Sequence, residues 1–136
     1  MAAHENSTDT LKLLVVDDSR DSADSLAELL RLDGHNVRVA YDAPSASALM
    51  EQERADCVLL DVQMPGTSGT ELAAVFRQRY GDSVVIVAVT GAKGLDRVVD
   101  QRVLHMDHCL IKPVSARQLQ QLFPARLQAT PSLPAD

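Results

Sequence analysis

One stretch restricts the possible folds more than any other: Val58-Leu59-Leu60-Asp61-Val62-Gln63-Met64-Pro65-Gly66. Its apolar run is too long for a turn and too short for a helix. It stops at a single carboxylate, and a Pro-Gly turn signal follows. This is the pattern of a buried strand that carries Asp61 to the edge of a sheet. Three more apolar runs end in the same manner: residues 11–16 stop at Asp17-Asp18, residues 84–89 stop at Thr90, and Cys109-Leu110-Ile111 stops at Lys112-Pro113. Four strands would each deliver a polar residue at the carboxyl end, where ligands gather in an open parallel sheet.

Between these strands the apolar spacing changes from strand-like to helical, which points to an α/β domain with a doubly wound parallel sheet. Residues 19–32 place Ala23, Leu26, Ala27 and Leu30 on one helical face, and Gly34 supplies a stop. A second strand is expected over 37–41. Asp42-Ala43-Pro44 then opens a helix running to about Gln52, with proline tolerated in the first turn. The third strand is expected over 57–60, and the next helix, over 69–80, aligns Leu72, Ala73, Phe76 and Tyr80 before Gly81. The β-branched run at 84–89 is expected to be a central strand covered on both faces. A loop and a short helix from about Asp96 should fill 91–107. A last helix from about Ser115 should pack Leu119, Leu122, Phe123 and Leu127, with Pro124 stopping or kinking it near Phe123.

The 136 residues suit one domain, expected over 11–127 between flexible tails at 1–10 and 128–136. No apolar run approaches the roughly 20 residues of a membrane-spanning helix, and residues 1–10 lack a basic segment followed by an apolar block. The expected address is cytoplasmic, with no membrane contact. A formal net charge of −6, with 13 scattered Lys and Arg residues, argues against nucleic acid as a partner. Cys57 and Cys109 should be core thiols. With a strand between theirs they would lie about 10 Å apart, beyond disulfide reach. No histidine shows metal-ligand spacing with them.

The chemistry lies in the residues that the strands deliver. Asp17, Asp18 and Asp61 on adjacent strands bring three carboxylates together, and such charges raise one another's pKa unless a cation joins them. Oxygen ligands with several positions left to water suit Mg²⁺. Lys112 adds an ammonium on the far side and Thr90 a hydroxyl. Together they describe a site that stabilises a phosphoryl group on a carboxylate by charge and position.

Taken in order, Leu14-Val15-Val16-Asp17-Asp18, Leu59-Leu60-Asp61-Val62-Gln63-Met64-Pro65-Gly66 with Gly69, Val89-Thr90 and Ile111-Lys112-Pro113 closely resemble the CheY-like receiver domain of two-component response regulators. The resemblance implies a five-stranded parallel sheet in the order 2-1-3-4-5, flavodoxin-like in class, with five helices. It implies that Asp61 is the phosphoacceptor. Asp18 and Asp61 would ligate Mg²⁺ with the backbone carbonyl of Gln63, and Asp17 would assist through water. Lys112 would contact the phosphoryl group, Thr90 would be the switch hydroxyl, and Lys112-Pro113 would be a cis peptide. The implied donor is a histidine kinase or histidine phosphotransfer domain, and the output an unidentified protein partner. The chain would not be an enzyme beyond accepting and losing its own phosphoryl group.

Three positions depart from the resemblance: Cys109 stands where Tyr or Phe is usual, His105-Met106 where Gly-Ala is usual, and Pro124 lies inside the last helix. A flavin protein of the same fold would carry a Ser/Thr/Gly-rich loop after its first strand, and Asp18-Ser19-Arg20-Asp21 is not one. An aspartate-nucleophile hydrolase of the haloacid type would have the isolated aspartate on the first strand. The remaining alternative is a pseudo-receiver acting only as a docking module, whose mark would be a lost Asp or Lys. With only a short tail after the domain, the expectation is a single-domain regulator or the receiver of a hybrid kinase.

Overall fold

The computed structural model describes residues 11–64, 66, 69–91 and 106–122. In chain order the elements are β1 (Lys12–Val16), α1 (Arg20–Leu32), β2 (Asn36–Ala40), α2 (Ala43–Gln52), β3 (Cys57–Asp61), α3 (Gly69–Tyr80), a 3₁₀ turn (Gly81–Ser83), β4 (Val85–Thr90), β5 (His108–Ile111) and α4 (Ala116–Leu122). The five strands form one sheet in the order β2-β1-β3-β4-β5, and every pairing is parallel. The chain therefore reverses its winding direction beside β1, which opens a crevice between β1 and β3 at their carboxyl ends. Among the described residues no helix is long and apolar enough to cross a membrane.

Strand alternation divides the core in two. Leu14, Val16, Val58, Leu60, Ile86 and Ala88 face α2 and α3, where Met50, Leu72 and Phe76 cover them. Leu13, Val15, Leu59, Val87 and Val89 face the opposite way, under Ala23, Leu26 and Leu30 of α1 and Leu119 of α4. All five residues of β3 are buried, because both of its faces and both of its edges are occupied. The helix ends follow local chemistry. Ser19 Oγ accepts the Ser22 N–H, Asp42 Oδ1 accepts the Ser45 N–H, and Ser115 and Gln118 cap each other reciprocally. Gly34, at φ +92°, makes the turn out of α1.

The expected elements stand with small shifts. β2 begins and ends one residue earlier than its apolar alternation suggests, because Lys12 pairs with Asn36 and the ladder closes at Ala40. Tyr41 thus leaves the strand. β3 includes Asp61, and β4 runs over Val85–Thr90, so Val84 belongs to the turn before it. Cys57 is buried and Cys109 half-buried, both are reduced, and β4 separates their strands. Lys112-Pro113 is cis. The helix expected from about Asp96, the proline stop at Pro124, the packing of Phe123 and Leu127, and both tails lie outside the described residues.

The sheet pole remote from Asp61 is fixed largely by arginines. Arg77 donates to the carbonyls of Gly81 and Val84 and to Asp107, 2.7 Å away, while Asp107 also accepts the Ile86 N–H. Arg54 reaches the Ser83 carbonyl, and Arg38 those of Leu49 and Glu53. His35 belongs to this pole too: it is buried, and its Nδ1 accepts the Leu11 N–H at 3.2 Å. Burial disfavours the imidazolium and holds the His35 pKa below its ordinary value, against the opposing pull of Asp33.

Two predictions follow from this packing. A Cβ on Gly69 would collide with the Asp61 carbonyl oxygen and lie 2.8 Å from Val62 Cα, both backbone atoms that cannot turn aside. Gly69→Ala should therefore force α3 away from β3 and cost about 1–3 kcal/mol; an unchanged urea midpoint would show that the contact is slack. The His35 contribution has the sign of a depressed pKa: it is complete above the unfolded value of about 6.5 and is lost as pH falls towards the lower folded value. His35→Gln should thus flatten the fall in melting temperature between about pH 7.5 and 5, and an identical slope would refute the role.

Candidate functional site

β1 ends at Val16, and Asp17, which is 5% exposed, follows it directly. Its N–H is held by the Ala40 carbonyl at 3.1 Å, and its Oδ1 accepts the Ser19 N–H at 2.9 Å. The strand end, the turn and the N-cap of α1 are thus a single hydrogen-bonded unit. Asp18 follows and is exposed. β3 brings Asp61 alongside, also 5% exposed, with its Oδ1 accepting the Gln63 N–H at 3.0 Å. Carboxylate oxygens from Asp17, Asp18 and Asp61 lie within 4.8 Å of one another. The expected convergence of the three acids is therefore met. Gln63 contacts Asp61 through its backbone N–H.

Lys112 occupies a different place from the one expected. Its ammonium is not across the site from the acids but between two of them, 2.8 Å from Asp17 Oδ2 and 3.5 Å from Asp61 Oδ2. The Lys112 N–H donates to the Thr90 carbonyl at 2.7 Å, so β4 anchors the backbone from which the side chain reaches back. Strand order could be read from sequence, but the reach of a four-carbon side chain across the crevice could not. Burial works against the ammonium, yet the hydrogen bond to Asp17 and the charges of Asp61 and Asp17 outweigh it and hold Lys112 above its ordinary pKa.

Asp61 is pushed up to about 6. Burial is the largest cause, while the Gln63 N–H opposes it; the Asp17 charge adds to the rise and Lys112 offsets part of it. Carboxylate crowding, the cause read from the sequence, contributes but is secondary to the loss of water. Near neutral pH Asp61 is an anion held in a place that disfavours anions, and added positive charge relieves it.

Thr90, the last residue of β4, is fully buried, and its Oγ1 has no hydrogen-bond partner among the described residues. An unpaired buried hydroxyl costs about 1–3 kcal/mol, so this is a donor without an acceptor on a strand next to that of Asp61. Three oxygen-bearing acids, one of them exposed, form a donor set that suits a hard divalent cation with water in its remaining positions. A groove of 480 Å³ opens beside the acids, with Asp17 and Lys112 at one end and Leu26, Leu29, Pro113 and Val114 along it.

One group at the rim escapes the sequence reading. Tyr41 Oη donates to Asp24 Oδ1 at 2.6 Å, and the Arg20 guanidinium carbon lies 4.1 Å from the Tyr41 ring centroid. The spacing of Arg20 and Asp24 on one helical face was visible; their meeting with Tyr41, just past the end of β2, is a tertiary contact that spacing does not show.

Comparison with known proteins agrees with this geometry. Residues 13–123 match the model of the response regulator receiver domain. Over 107 residues the chain is 41% identical to the sensory transduction protein RegX3 of Mycolicibacterium smegmatis, covering 79% of this chain and 46% of that protein. The chain thus spans about half the length of the curated relatives that it matches. The receiver domain of NtrX from Brucella abortus superposes with a TM-score of 0.78 at 27% identity, over 85% of this chain and 97% of that one. A CheY-like response regulator receiver domain protein from Methanospirillum hungatei gives 0.76 at 28%, over 87% and 94%. Five parallel strands in the order of such domains, acids at the crevice and a family match over most of the sequence lead to one conclusion: the chain belongs to the response regulator receiver domain family of two-component signalling.

Proposed function

We propose that this receiver takes a phosphoryl group onto Asp61 from a histidine kinase or histidine phosphotransfer domain, with Mg²⁺, and signals by a change of surface to a protein partner. The observation that carries the reading is Thr90 Oγ1, a buried hydroxyl with nothing to bond, on the strand beside a carboxylate that an ammonium already attends. A phosphoryl oxygen on Asp61 would give that hydroxyl its acceptor. A docking module that never carried phosphate would have no use for it, nor for Asp61 and Lys112 together.

In this mechanism an Asp61 carboxylate oxygen attacks phosphorus as the bond from phosphorus to the donor atom breaks, and the donor departs with that electron pair. Burial, which raises the Asp61 pKa, also strips water from the attacking oxygen. Asp17, Asp18, Asp61 and the Gln63 backbone carbonyl would hold Mg²⁺. When bound, the ion neutralises charge on the transferring group and orients it. Lys112, already between Asp17 and Asp61, turns its ammonium to a phosphoryl oxygen as that oxygen becomes the nearer anion. The chain accepts one group and later loses it to water, so it is a substrate of the relay and not a turnover enzyme. The proposed setting is the cytoplasm, with the receiver spanning residues 11–127.

With Mg²⁺ and acetyl phosphate the protein should gain one phosphoryl group by mass, and Asp61→Asn should gain none; equal labelling of both would sink the assignment. Asp18→Ala removes a ligand oxygen and should weaken Mg²⁺ binding by roughly tenfold. Calorimetric titration gives the answer directly, and an unchanged isotherm would remove Asp18 from the metal site.

A further inference from the structure

Arg20 begins α1 in a position that helices reserve for acids, because the peptide dipoles gather positive charge at that end. The acid suited to the place, Asp21, comes next. Arg20 is nevertheless held firmly, with its guanidinium over the Tyr41 ring and the ring's hydroxyl bonded to Asp24 one turn along the helix. Both partners of the stack are tied to the site. Ser19, immediately before Arg20, donates its N–H to Asp17, and Ala40, immediately before Tyr41, accepts the Asp17 N–H. Stacking uses the face of the guanidinium and leaves N–H donors at its edge available to an anion.

The site has a need that this arrangement meets. A phosphoryl donor is an anion, and it approaches a chain of net charge −6 past the exposed acids Asp18, Asp21 and Asp24. Lys112 is only 27% exposed and already pairs with Asp17 and Asp61. Arg54, Arg77 and Arg79 are engaged at the far pole. Arg117, in the first turn of α4, is exposed at the site's pole but has no ring beneath it among the described residues. An exposed arginine unfavourable to its own helix, stacked on a ring and two residues from Asp18, is the kind of local exception that function explains.

We propose that Arg20 is a positioning residue for the phosphoryl donor: its clamped guanidinium takes the donor's phosphate at the rim and orients it towards Asp61. Arg20 makes and breaks no covalent bond. The inference rests on Asp61 as the acceptor.

The test compares wild type, Arg20→Gln, Arg20→Lys and Tyr41→Leu in the whole chain, with Mg²⁺ and acetyl phosphate, following labelling by mass. Arg20→Gln should raise the half-saturating donor concentration roughly fivefold, with the saturated rate kept, and should flatten the dependence of rate on ionic strength. Arg20→Lys should recover part of the loss, and Tyr41→Leu, which frees the guanidinium, should fall between. Mg²⁺ affinity and melting temperature of Arg20→Gln should match wild type. An unchanged half-saturation would overturn the proposal, as would a loss explained by weaker Mg²⁺ binding or by unfolding. Failure of the reading beneath it looks different: wild type would take no label, which removes both, or Asp61→Asn would still take it.

Discussion

Mutual repulsion among Asp17, Asp18 and Asp61 is the constraint to which the rest of the domain answers. Three acids with oxygens within 4.8 Å of one another oppose their own assembly, so the sheet must impose it. β3, buried at every residue, leaves Asp61 no alternative position, and the Asp17 turn is tied to β2 on one side and α1 on the other. Lys112 offsets part of the repulsion by lying between two of the acids. The site is therefore a cost carried by the core. The Asp61 pKa, raised to about 6, expresses chiefly the cost of burying its carboxylate, with the Asp17 charge a smaller addition.

Much of this was legible in the sequence because short-range rules and tertiary demands agree. Ala23, Leu26, Ala27 and Leu30 repeat at helical spacing and are the buried residues of α1. The span of α3 follows from Gly69 and Gly81 at its ends. The acids and Thr90 were legible because an apolar run that stops at a polar residue marks the end of a buried parallel strand. The position of Lys112 was not, since a strand order says which residues share an edge and says nothing of where a long side chain comes to rest. Nor was the dominance of burial over crowding at Asp61, which depends on how completely its surroundings close.

The edge of the sheet shows the same limit. Apolar alternation places Tyr41 in the second strand, while pairing of Lys12 with Asn36 ends that strand at Ala40 and frees the ring to lie under Arg20. Cys109 is comparable. It pairs in register with Ala88 and is half-buried, so β5 has a small side chain facing the layer that holds Ala88 and Met106.

The fixings of the domain are not distributed evenly between its two poles. Arg38, Arg54 and Arg77 bind backbone carbonyls at or towards the amino ends of the strands, and Lys12 and Asp56 close the base of β1 and β3. The carboxyl ends hold the crowded acids and an unbonded hydroxyl. Architecture and chemistry are thereby entrusted to different residues. A lineage with this plan can rewrite its acidic pole while inheriting the same scaffold; the inventory of guanidinium staples at one end is what leaves the other end open to change.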